Sequence, residues 1–507
     1  MTIRDCLSPP GSSLYHADQV RELDRRAIQE FSIPGGVLMA RAGRAAFYVL
    51  GQHWPKIRRL AVVCGSGNNA GDGYVVARLA WKAGFKVHVF QVGDTAKLQG
   101  DAMEAHQAML RAGIKPIPFV SGCLEKEKLV VDALLGTGLA GEVRSPFRDA
   151  ITEINQHGAP VLALDIPSGL CSDTGQPLGM AVHATVTVTF IGVKLGLFIG
   201  EGPAYSGQVV FSDLEVPHAV YAPIIPIAQL INFHEWSRRL LPRCRTAHKG
   251  DFGHVLVIGG APGYAGAGRL AAEAAARIGA GLVSLATHPN HAAQIAATRP
   301  EIMAHAVGSS ADLAPLLAKA TVVVLGPGLS RNSWAVPLWE AALATNLPMV
   351  LDADALNLLA ERLSIQQSLQ LRDDWLFTPH PGEAGRLLGC TTAKVQADRL
   401  NAVETLARRH GGVWVLKGAG TLVGSVGAIP GLCPVANPGM ASGGMGDVLA
   451  GLLGGLLAQK IPPHDAARLG VCLHAEAGLR CAMDGERGML AGDLMPYLRA
   501  LCNAVKN

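Results

Sequence analysis

The chain has 507 residues, more than one hydrophobic core usually organises, and this length predicts two domains. Of these residues 49% are hydrophobic and only 17% are charged, which excludes a disordered or coiled-coil chain. The formal net charge of +4 comes from 44 basic and 40 acidic residues without a basic run, and it makes nucleic acid a poor partner candidate.

The first residues and the cysteines indicate the compartment. The start MTIRDCLSPPGSS lacks a signal-peptide pattern, and the longest apolar stretch, residues 181–199, is interrupted by His183 and Lys194. The ten cysteines form no C-x-x-C pair and no Cys/His cluster at zinc spacing, as is typical of reduced thiols. We therefore expect a cytoplasmic protein with no membrane span and no metal–thiolate site.

Short apolar runs alternate with helix-length segments along the first half of the chain. The predicted strands are LAVVCG (60–65), KVHVFQV (86–92), KLVVDALLG (128–136), PVLALDIP (160–167) and ATVTVTF (184–190). Strands that are apolar on both faces and separated by helices are typical of a parallel sheet covered on both sides. The first half is predicted to be an α/β domain.

Glycine accounts for 60 of the 507 residues, or about 12%, whereas the average in proteins is about 7%. In this half the glycines lie mainly at strand ends. The first strand leads into GSGNNAGDG (65–73), which is not the G-x-G-x-x-G fingerprint. Asp132 and Asp165 end two further strands, and Ser168 follows. Oxygen ligands at neighbouring strand ends suit a hard cation, and Asp165 could act as an acid or a base. The alternative is a set of ordinary turns in which Asp72 and the other acids cap helices.

The alternation of strands and helices lapses over residues 213–249. Prolines accumulate there, and the basic stretch WSRRLLPRCRTAHKG precedes a new strand. These features predict a domain boundary near residues 220–240, and we assign the domains to residues 1–222 and 223–507. The second half does not repeat the first, so two different α/β domains are expected.

The second half shows the same alternation, again predicting a parallel sheet between helices. Its predicted strands are HVLVIGG (254–260), GLVSLAT (281–287), ATVVVLGPG (320–328), PMVLDADA (348–355), WLFTPH (375–380) and GVWVLKG (412–418).

The strongest single motif is NPGMASGGMGDVLAGLLGGLLAQ (437–459), a glycine loop that runs directly into an apolar helix. The backbone N–H groups of Gly444, Met445 and Gly446 can face an anion at the helix N-terminus. A carboxylate in the same place, Asp447, fits a base that deprotonates a hydroxyl during phosphoryl transfer. The alternative is that Asp447 simply caps the helix.

Two further segments support a nucleotide site. In VLKGAGT, Lys417 and the turn up to Thr421 offer an ammonium and free N–H groups to phosphate, although the chain has no G-K dipeptide and hence no P-loop. His380 lies between two prolines at a strand end and is a candidate substrate contact, whereas a lone histidine is more often structural.

These motifs resemble a known pair of domains. The segments CGSGNNAGDGYVVARLA, VDALLGTGL and LDIPSGL resemble the NAD(P)H-hydrate epimerase domain. The segments HKGDFGHVLVIGG, TPHPGE, KGAGT and NPGMASGGMGDVLAG resemble the ADP-dependent NAD(P)H-hydrate dehydratase domain. The resemblance covers nearly the whole chain, in the order of the bifunctional bacterial repair enzymes. It implies a Rossmann-like three-layer α/β/α first domain and a ribokinase-like α/β second domain.

The resemblance also implies which residues form the sites. In the epimerase, Asp165 would be catalytic and bind substrate, together with contacts from Asn68, Asn69, Ala70, Gly71, Asp72, Gly136, Thr137, Gly138, Leu139, Ala140, Gly141 and Glu142. Ala70 replaces a glycine that is common in the family. Potassium would be bound by Asn69, Asp132 and Ser168. In the dehydratase, Asp447 would be catalytic, and the hydrate would contact Ala267, Gly328, His380 and Asp447. The nucleotide would contact Lys417, Gly418, Ala419, Gly420, Thr421 and Gly446.

The implied reaction is repair of NADH or NADPH to which water has added at C6. The first domain would interconvert the R and S hydrates, and the second would restore the S hydrate while ADP becomes AMP and phosphate, with Mg²⁺ on the phosphates. We expect a homo-oligomer of unspecified subunit number. Two alternatives remain at this point: a ribokinase-like kinase of a small alcohol such as a vitamin precursor, and a non-catalytic nucleotide sensor.

Overall fold

The computed structural model describes residues 11–365 and 371–503 and divides the chain into two compact units, Met1–Leu230 and Ile231–Asn507. Residues 1–10, which make up most of the N-terminal stretch MTIRDCLSPPGSS, lie outside the described residues. Within the described part, no helix combines the length and apolar character that a membrane span requires.

The first unit is built on a sheet between helices. Its strands are β1 (Ser13–Tyr15), β2 (Arg59–Cys64), β3 (Lys86–Gln91), β4 (Ile117–Pro118), β5 (Val130–Ala133), β6 (Val161–Leu164), β7 (Val186–Phe190), β8 (Val193–Lys194), β9 (Gln208–Ser212) and β10 (Ala228–Leu230). Its helices are α1 (Ala17–Gln29), α2 (Gly35–His53), α3 (Asn68–Lys82), α4 (Gly100–Arg111), α5 (Phe147–His157) and α6 (Gly202–Ser206).

Seven of these strands form an all-parallel sheet in the order β4-β3-β2-β5-β6-β7-β9. Side chains of β2 alternate between its two faces: Leu60 and Val62 pack with helices α1 to α4, while Ala61 and Val63 pack with α5. The predicted three-layer α/β/α fold is confirmed. The strand order reverses between β2 and β5, and ligands bind at such a reversal in open α/β sheets.

The second unit also contains one sheet. Its strands are β11 (His254–Ile258), β12 (Leu282–Thr287), β13 (Met303–Ala306), β14 (Val322–Leu325), β15 (Met349–Leu351), β16 (Trp375–Phe377), β17 (Val413–Leu416), β18 (Thr421–Ser425) and β19 (Gly431–Cys433). Its helices are α7 (Phe233–Trp236), α8 (Ala265–Ile278), α9 (Ala292–Thr298), α10 (Ser310–Leu317), α11 (Ala335–Leu343), α12 (Asp354–Ile365), α13 (Pro381–Leu388), α14 (Thr392–Ala397), α15 (Arg399–His410), α16 (Met445–Ala458), α17 (Pro463–Cys481) and α18 (Leu494–Leu501).

Within this unit the strand order is β13-β12-β11-β14-β15-β16-β17-β18-β19. The sheet is parallel from β13 to β17, as predicted for the strands named above, and β18 and β19, which were not predicted, extend it in the antiparallel direction. A short turn between β17 and β18 reverses the chain, which no parallel connection allows. The strand order reverses between β11 and β14, which predicts a second ligand site there.

Helix α16 lies at the centre of the second core and is buried along almost its whole length. It packs directly on α8, because a Cβ atom at Gly451 would lie 1.9 Å from the carbonyl oxygen of Ala271. Glycine here permits a backbone approach that any side chain would prevent. This packing fixes the N-terminus of α16, and with it the predicted base Asp447.

Candidate active sites

The first candidate site is a cavity of about 600 Å³ at the strand reversal between β2 and β5 of the first unit. The loops after both strands and the end of β6 contribute to it. The predicted substrate contacts that line it are Asn68, Asn69, Asp72, Gly136, Thr137, Gly138, Leu139, Ala140 and Asp165. The structure thus brings together residues that are almost 100 positions apart in the sequence.

Four predicted contacts of this site do not line the cavity. Ala70 is completely buried, and Gly71 faces the core, where an added Cβ would meet Met39 at 2.6 Å. Gly141 and Glu142 are exposed further along the loop after β5. Neither Asp72 nor any other side chain caps α3, whose N-cap is Gly67, so the simple-turn alternative for Asp72 does not hold.

The three predicted potassium ligands lie close together at the start of the loop after β5, where Asn69 and Ser168 both contact the carbonyl of Leu135. Ser168 donates from its hydroxyl to the fully buried Asp132 at 2.6 Å and from its backbone N–H at 2.8 Å. Burial raises the pKa of Asp132 to about 6, against the opposing effect of these hydrogen bonds. Asn69 donates to the carbonyl of Leu135 at 3.1 Å, while its own carbonyl oxygen Oδ1 is buried without a hydrogen-bond partner in the described part of the chain. An unpartnered oxygen among oxygen ligands fits a potassium ion.

Asp165 is held in an unusual conformation at the end of β6. Its φ is +66°, a left-handed backbone that residues other than glycine rarely adopt, and such strain is frequent at functional sites. The carboxylate accepts a hydrogen bond from the Lys194 ammonium and another from the N–H of Phe190 at 3.2 Å. Lys194 is fully buried and also donates to Thr189 Oγ1 at 3.2 Å.

Lys194 and Asp24 line the same cavity, and the sequence reasoning missed both as site residues. For Lys194 a signal existed, because it is a charged residue inside the apolar stretch 181–199. For Asp24, on α1, the sequence offered no signal, since an acid on an amphipathic helix usually faces solvent.

The second candidate site is a cavity of about 630 Å³ between the turn after β17 and the N-terminus of α16. Of the predicted nucleotide contacts, the ones that line it are Lys417, Gly418, Ala419, Thr421 and Gly446. Gly420 does not line this cavity. Its carbonyl instead accepts a hydrogen bond from Arg399 at 3.4 Å.

The turn over residues 417–421 is held from behind by Arg399, the first residue of α15. This guanidinium is only 3% exposed and donates to the carbonyls of Leu416 at 3.3 Å and Lys417 at 3.0 Å as well as to Gly420. Burial lowers its pKa to about 10, and it has no carboxylate partner within the described ranges. With its carbonyls bound from behind, the turn is free to present its N–H groups to an anion.

Lys417 lies among carboxylates. Its ammonium donates to Asp352 at 2.6 Å and lies 3.9 Å from Glu383, and these partners raise its pKa against the effect of burial. Burial raises the pKa of Glu383 to about 7. Asp352 lies in the predicted strand segment PMVLDADA and Glu383 in the motif TPHPGE, but neither residue was predicted to belong to a site.

Asp447 lies in the first turn of α16. The helix N-cap is Gly444 in a left-handed conformation with φ +90°, so Asp447 is not the cap, and the simple-cap alternative is wrong. Burial, with a smaller contribution from Asp352, raises the pKa of Asp447 to about 7. A carboxylate with this pKa is well matched to act as a base near neutral pH.

None of the four predicted hydrate contacts, Ala267, Gly328, His380 and Asp447, lines the second cavity, although Asp447 directly follows Gly446, which does. Gly328 lies beside Ala267, since an added Cβ would be 3.0 Å from the Ala267 side chain. His380 is about half exposed and is the N-cap of α13, where its Nδ1 accepts from the N–H of Gly382 at 3.0 Å and its Nε2 lies 3.3 Å from Glu383. The His380–Glu383 contact places this histidine next to the carboxylates around Lys417.

The described residues form no preassembled metal site. Across residues 11–365 and 371–503, no three His, Cys, Asp or Glu side chains form a ready metal cluster. Mg²⁺ is usually held by one or two carboxylates together with substrate phosphates. The excess of carboxylates around Lys417 fits such an ion, provided that the nucleotide supplies the other ligands.

Comparison with known families accounts for both units. Residues 35–196 match the family described as the YjeF-related protein N-terminus, and residues 255–499 match the family described as NAD(P)H-hydrate dehydratase. Asp24 lies outside the first match.

Full-length relatives combine the two parts. The chain is 48% identical to a bifunctional NAD(P)H-hydrate repair enzyme of Coxiella burnetii over 97% of this chain and 99% of that protein. It is 42% identical to the enzyme of the same description from Escherichia coli, over 97% of this chain and 94% of that one.

Solved structures match the second unit. A ribokinase-like superfamily protein from Enterococcus faecalis is 26% identical with a TM-score of 0.51, covering 55% of this chain and 97% of that one. A hypothetical protein from Streptococcus mutans is 29% identical with a TM-score of 0.50, over 54% and 99% of the two chains. The predicted ribokinase-like fold is confirmed.

Proposed function

The chain belongs to the bifunctional NAD(P)H-hydrate repair enzymes, and we propose that each of its activities resides in one of the two cavities described above. The epimerase activity is assigned to residues 1–222 and the dehydratase activity to residues 223–507. The observation that carries this assignment is that each unit has a cavity with a candidate catalytic carboxylate at it: Asp165 lines the first cavity, and Asp447 directly follows Gly446, which lines the second.

In the dehydratase site, the hydroxyl at C6 of the S hydrate must first become a better leaving group. Asp447 takes the hydroxyl proton, and the oxygen attacks the β-phosphorus of ADP, whose bond to the bridging oxygen breaks to release AMP. The N–H groups at the start of α16 and the 417–421 turn stabilise the charge on the transferred phosphoryl group. The ring nitrogen then expels phosphate, and loss of a proton from C5 yields NAD(P)H.

Mg²⁺ would be held in this site by Asp352 and Glu383 together with the nucleotide, and it would neutralise phosphate charge there. The hydrate would contact Ala267, Gly328 and His380. In this proposal, the Lys417 ammonium gives up part of its hydrogen bonding to Asp352 when the nucleotide binds and donates to a phosphate oxygen instead.

In the epimerase site, Asp165 would bind the hydrate and move a proton, while Asn69, Asp132 and Ser168 would hold potassium. The unpartnered Oδ1 of Asn69 supports this ligand set. The N-terminus of α3 and the loop after β5 would bind the dinucleotide, since helix N-termini attract its phosphates.

We also propose a cytoplasmic location and a homo-oligomeric state. The cysteines that the structure describes are free thiols, as expected in a reducing compartment. The small-alcohol kinase is less well supported because it leaves the carboxyl-lined cavity of the first unit unexplained, and the nucleotide sensor because it needs neither Asp165 nor Asp447.

The proposal is tested by incubating the chain with a mixture of R and S hydrates and following the recovery of NADH absorbance. ADP and ATP are compared side by side, each with potassium present and omitted. We expect complete recovery with ADP and slower recovery of the R share without potassium. A stable phosphorylated product instead of NADH would contradict the proposal and favour the kinase.

A further inference from the structure

The epimerase cavity contains two carboxyl groups to which no chemical step has been assigned: Asp24 on α1, and Asp72 on α3, which was predicted only as a substrate contact. Neither makes a hydrogen bond or ion pair with another residue that the structure describes. Asp165, by contrast, is paired with Lys194. Carboxyls in a cavity without a protein partner are available to a ligand.

The charge of the cavity indicates which part of the substrate these carboxyls approach. Its titratable lining groups are Arg21, Asp24, Asp72, Asp101, Asp165 and Lys194, four acids against two bases. These groups form no cluster of cations that would bind an anionic pyrophosphate, whereas the N-terminus of α3 attracts anions. The phosphates therefore belong at the α3 N-terminus, and the nicotinamide ring belongs beside the carboxyls.

Asp24 and Asp72 keep their protons more firmly than ordinary aspartates. Burial raises the pKa of Asp24 to about 6, and the negative charge of Asp165 adds to this effect. Burial together with the charges of Asp165 and Asp24 raises the pKa of Asp72 well above its usual value. Lys194 opposes both shifts. A protonated carboxyl thus persists near neutral pH beside the Asp165–Lys194 pair.

We propose that Asp24 and Asp72 together are the acid of the epimerisation, donating a proton to the C6 hydroxyl from the cavity wall that faces the nicotinamide ring. The C6–O bond breaks with its electron pair as the oxygen receives the proton and leaves as water. The ring nitrogen lone pair forms an N1=C6 double bond. Water then adds to either face of C6, the electron pair returns to nitrogen, and the released proton returns to the carboxyl pair.

This role rests on the proposed epimerase function of the first cavity. General acid catalysis of this kind contributes about 100-fold or more. Asparagine keeps the shape of aspartate and can still donate a hydrogen bond, but it cannot give up a proton. Asp24→Asn and Asp72→Asn are therefore the informative substitutions.

The experiment measures R/S interconversion by the full chain, with ADP-dependent repair of the pure S hydrate as the folding control. We expect each variant to lose about 100-fold in kcat with KM within about threefold, while repair of the S hydrate continues. In the wild type, kcat should fall as the pH rises and the pair loses its proton, and this decline should be absent in the double variant.

Glu22→Gln supplies the matched control, because Glu22 is an acid on the same helix whose side chain is 43% exposed and pairs with Arg25 at 2.6 Å. It should interconvert the hydrates like the wild type. A double variant, Asp24→Asn with Asp72→Asn, that interconverts within about threefold of the wild type would overturn the proposal. A wild-type chain without interconversion would instead contradict the epimerase function itself.

Discussion

Aspartates at the two sites differ mainly in how they are buried and paired. Asp165 is neutralised by a buried lysine, whereas burial raises the pKa of Asp447 to about 7. A base must be ionised to accept a proton. The rate of the dehydratase should therefore depend on pH in a range close to neutrality.

We expect kcat/KM for the S hydrate to rise about tenfold per pH unit up to about pH 7 and then to level off. Asp447→Asn should lower kcat by about 100-fold or more at every pH. The measurement is NADH recovery from pure S hydrate at saturating ADP. A wild-type profile that stays flat down to about pH 5 would show that Asp447 is not the base.

The same burial predicts an effect on stability. The pKa of Asp447 is higher in the folded chain than its ordinary value of 3.8. The folded state thus holds a proton that the unfolded state releases, and the stabilisation from this proton disappears as the pH rises through about 7. Asp447→Asn should raise the Tm of the second unit more at about pH 8 than at about pH 5. An equal shift at both values would contradict the burial argument.

Some of these residues could be predicted from the sequence and others could not. Asp165 and Asp447 lie at strand or helix ends beside glycines, where local pattern and function coincide. Asp24 and Arg399 lie on helices that look ordinary, and only the tertiary packing directs their side chains to a cavity or a turn. Residues of this second kind carry no local signal.

At the scale of elements, the turn between β17 and β18 shows how a short loop acquires a defined shape. The sequence predicted the turn and its contact with phosphate. It did not predict that Arg399, the first residue of α15, would bind the carbonyls of this turn, nor that β18 and β19 would continue the sheet in the antiparallel direction. Such short strands gain their stability from neighbours that are distant in sequence.

Arg399→Lys should raise the KM for ADP about tenfold, because an ammonium cannot reproduce the planar array of donors that the guanidinium offers to the carbonyls. R/S interconversion should stay unchanged. The control is Arg408→Lys on the same helix, since Arg408 is exposed and its guanidinium donates a hydrogen bond to the Thr405 hydroxyl at 3.2 Å. An unchanged KM for ADP in Arg399→Lys would show that the turn keeps its shape without this contact.

At the scale of the whole molecule, two α/β units each supply a sheet, a strand reversal and a cavity. The class of both units followed from the alternation of apolar runs with helical segments. The alternation did not predict which activity belongs to which unit, because α/β sheets host many chemistries. That assignment required the motifs at the strand ends, and the full-length relatives combine the same two parts.

The central claim is that the two sites act separately on one damaged cofactor, and one measurement tests it most directly. An equal mixture of R and S hydrates is given with ADP to the wild type, to Asp165→Asn and to Asp447→Asn, and NADH absorbance is followed over time. We expect the wild type to recover all of the NADH, Asp165→Asn to recover only the S share, and Asp447→Asn to recover none while still interconverting the hydrates. Full recovery by Asp447→Asn, or recovery of the R share by Asp165→Asn at the wild-type rate, would contradict the claim.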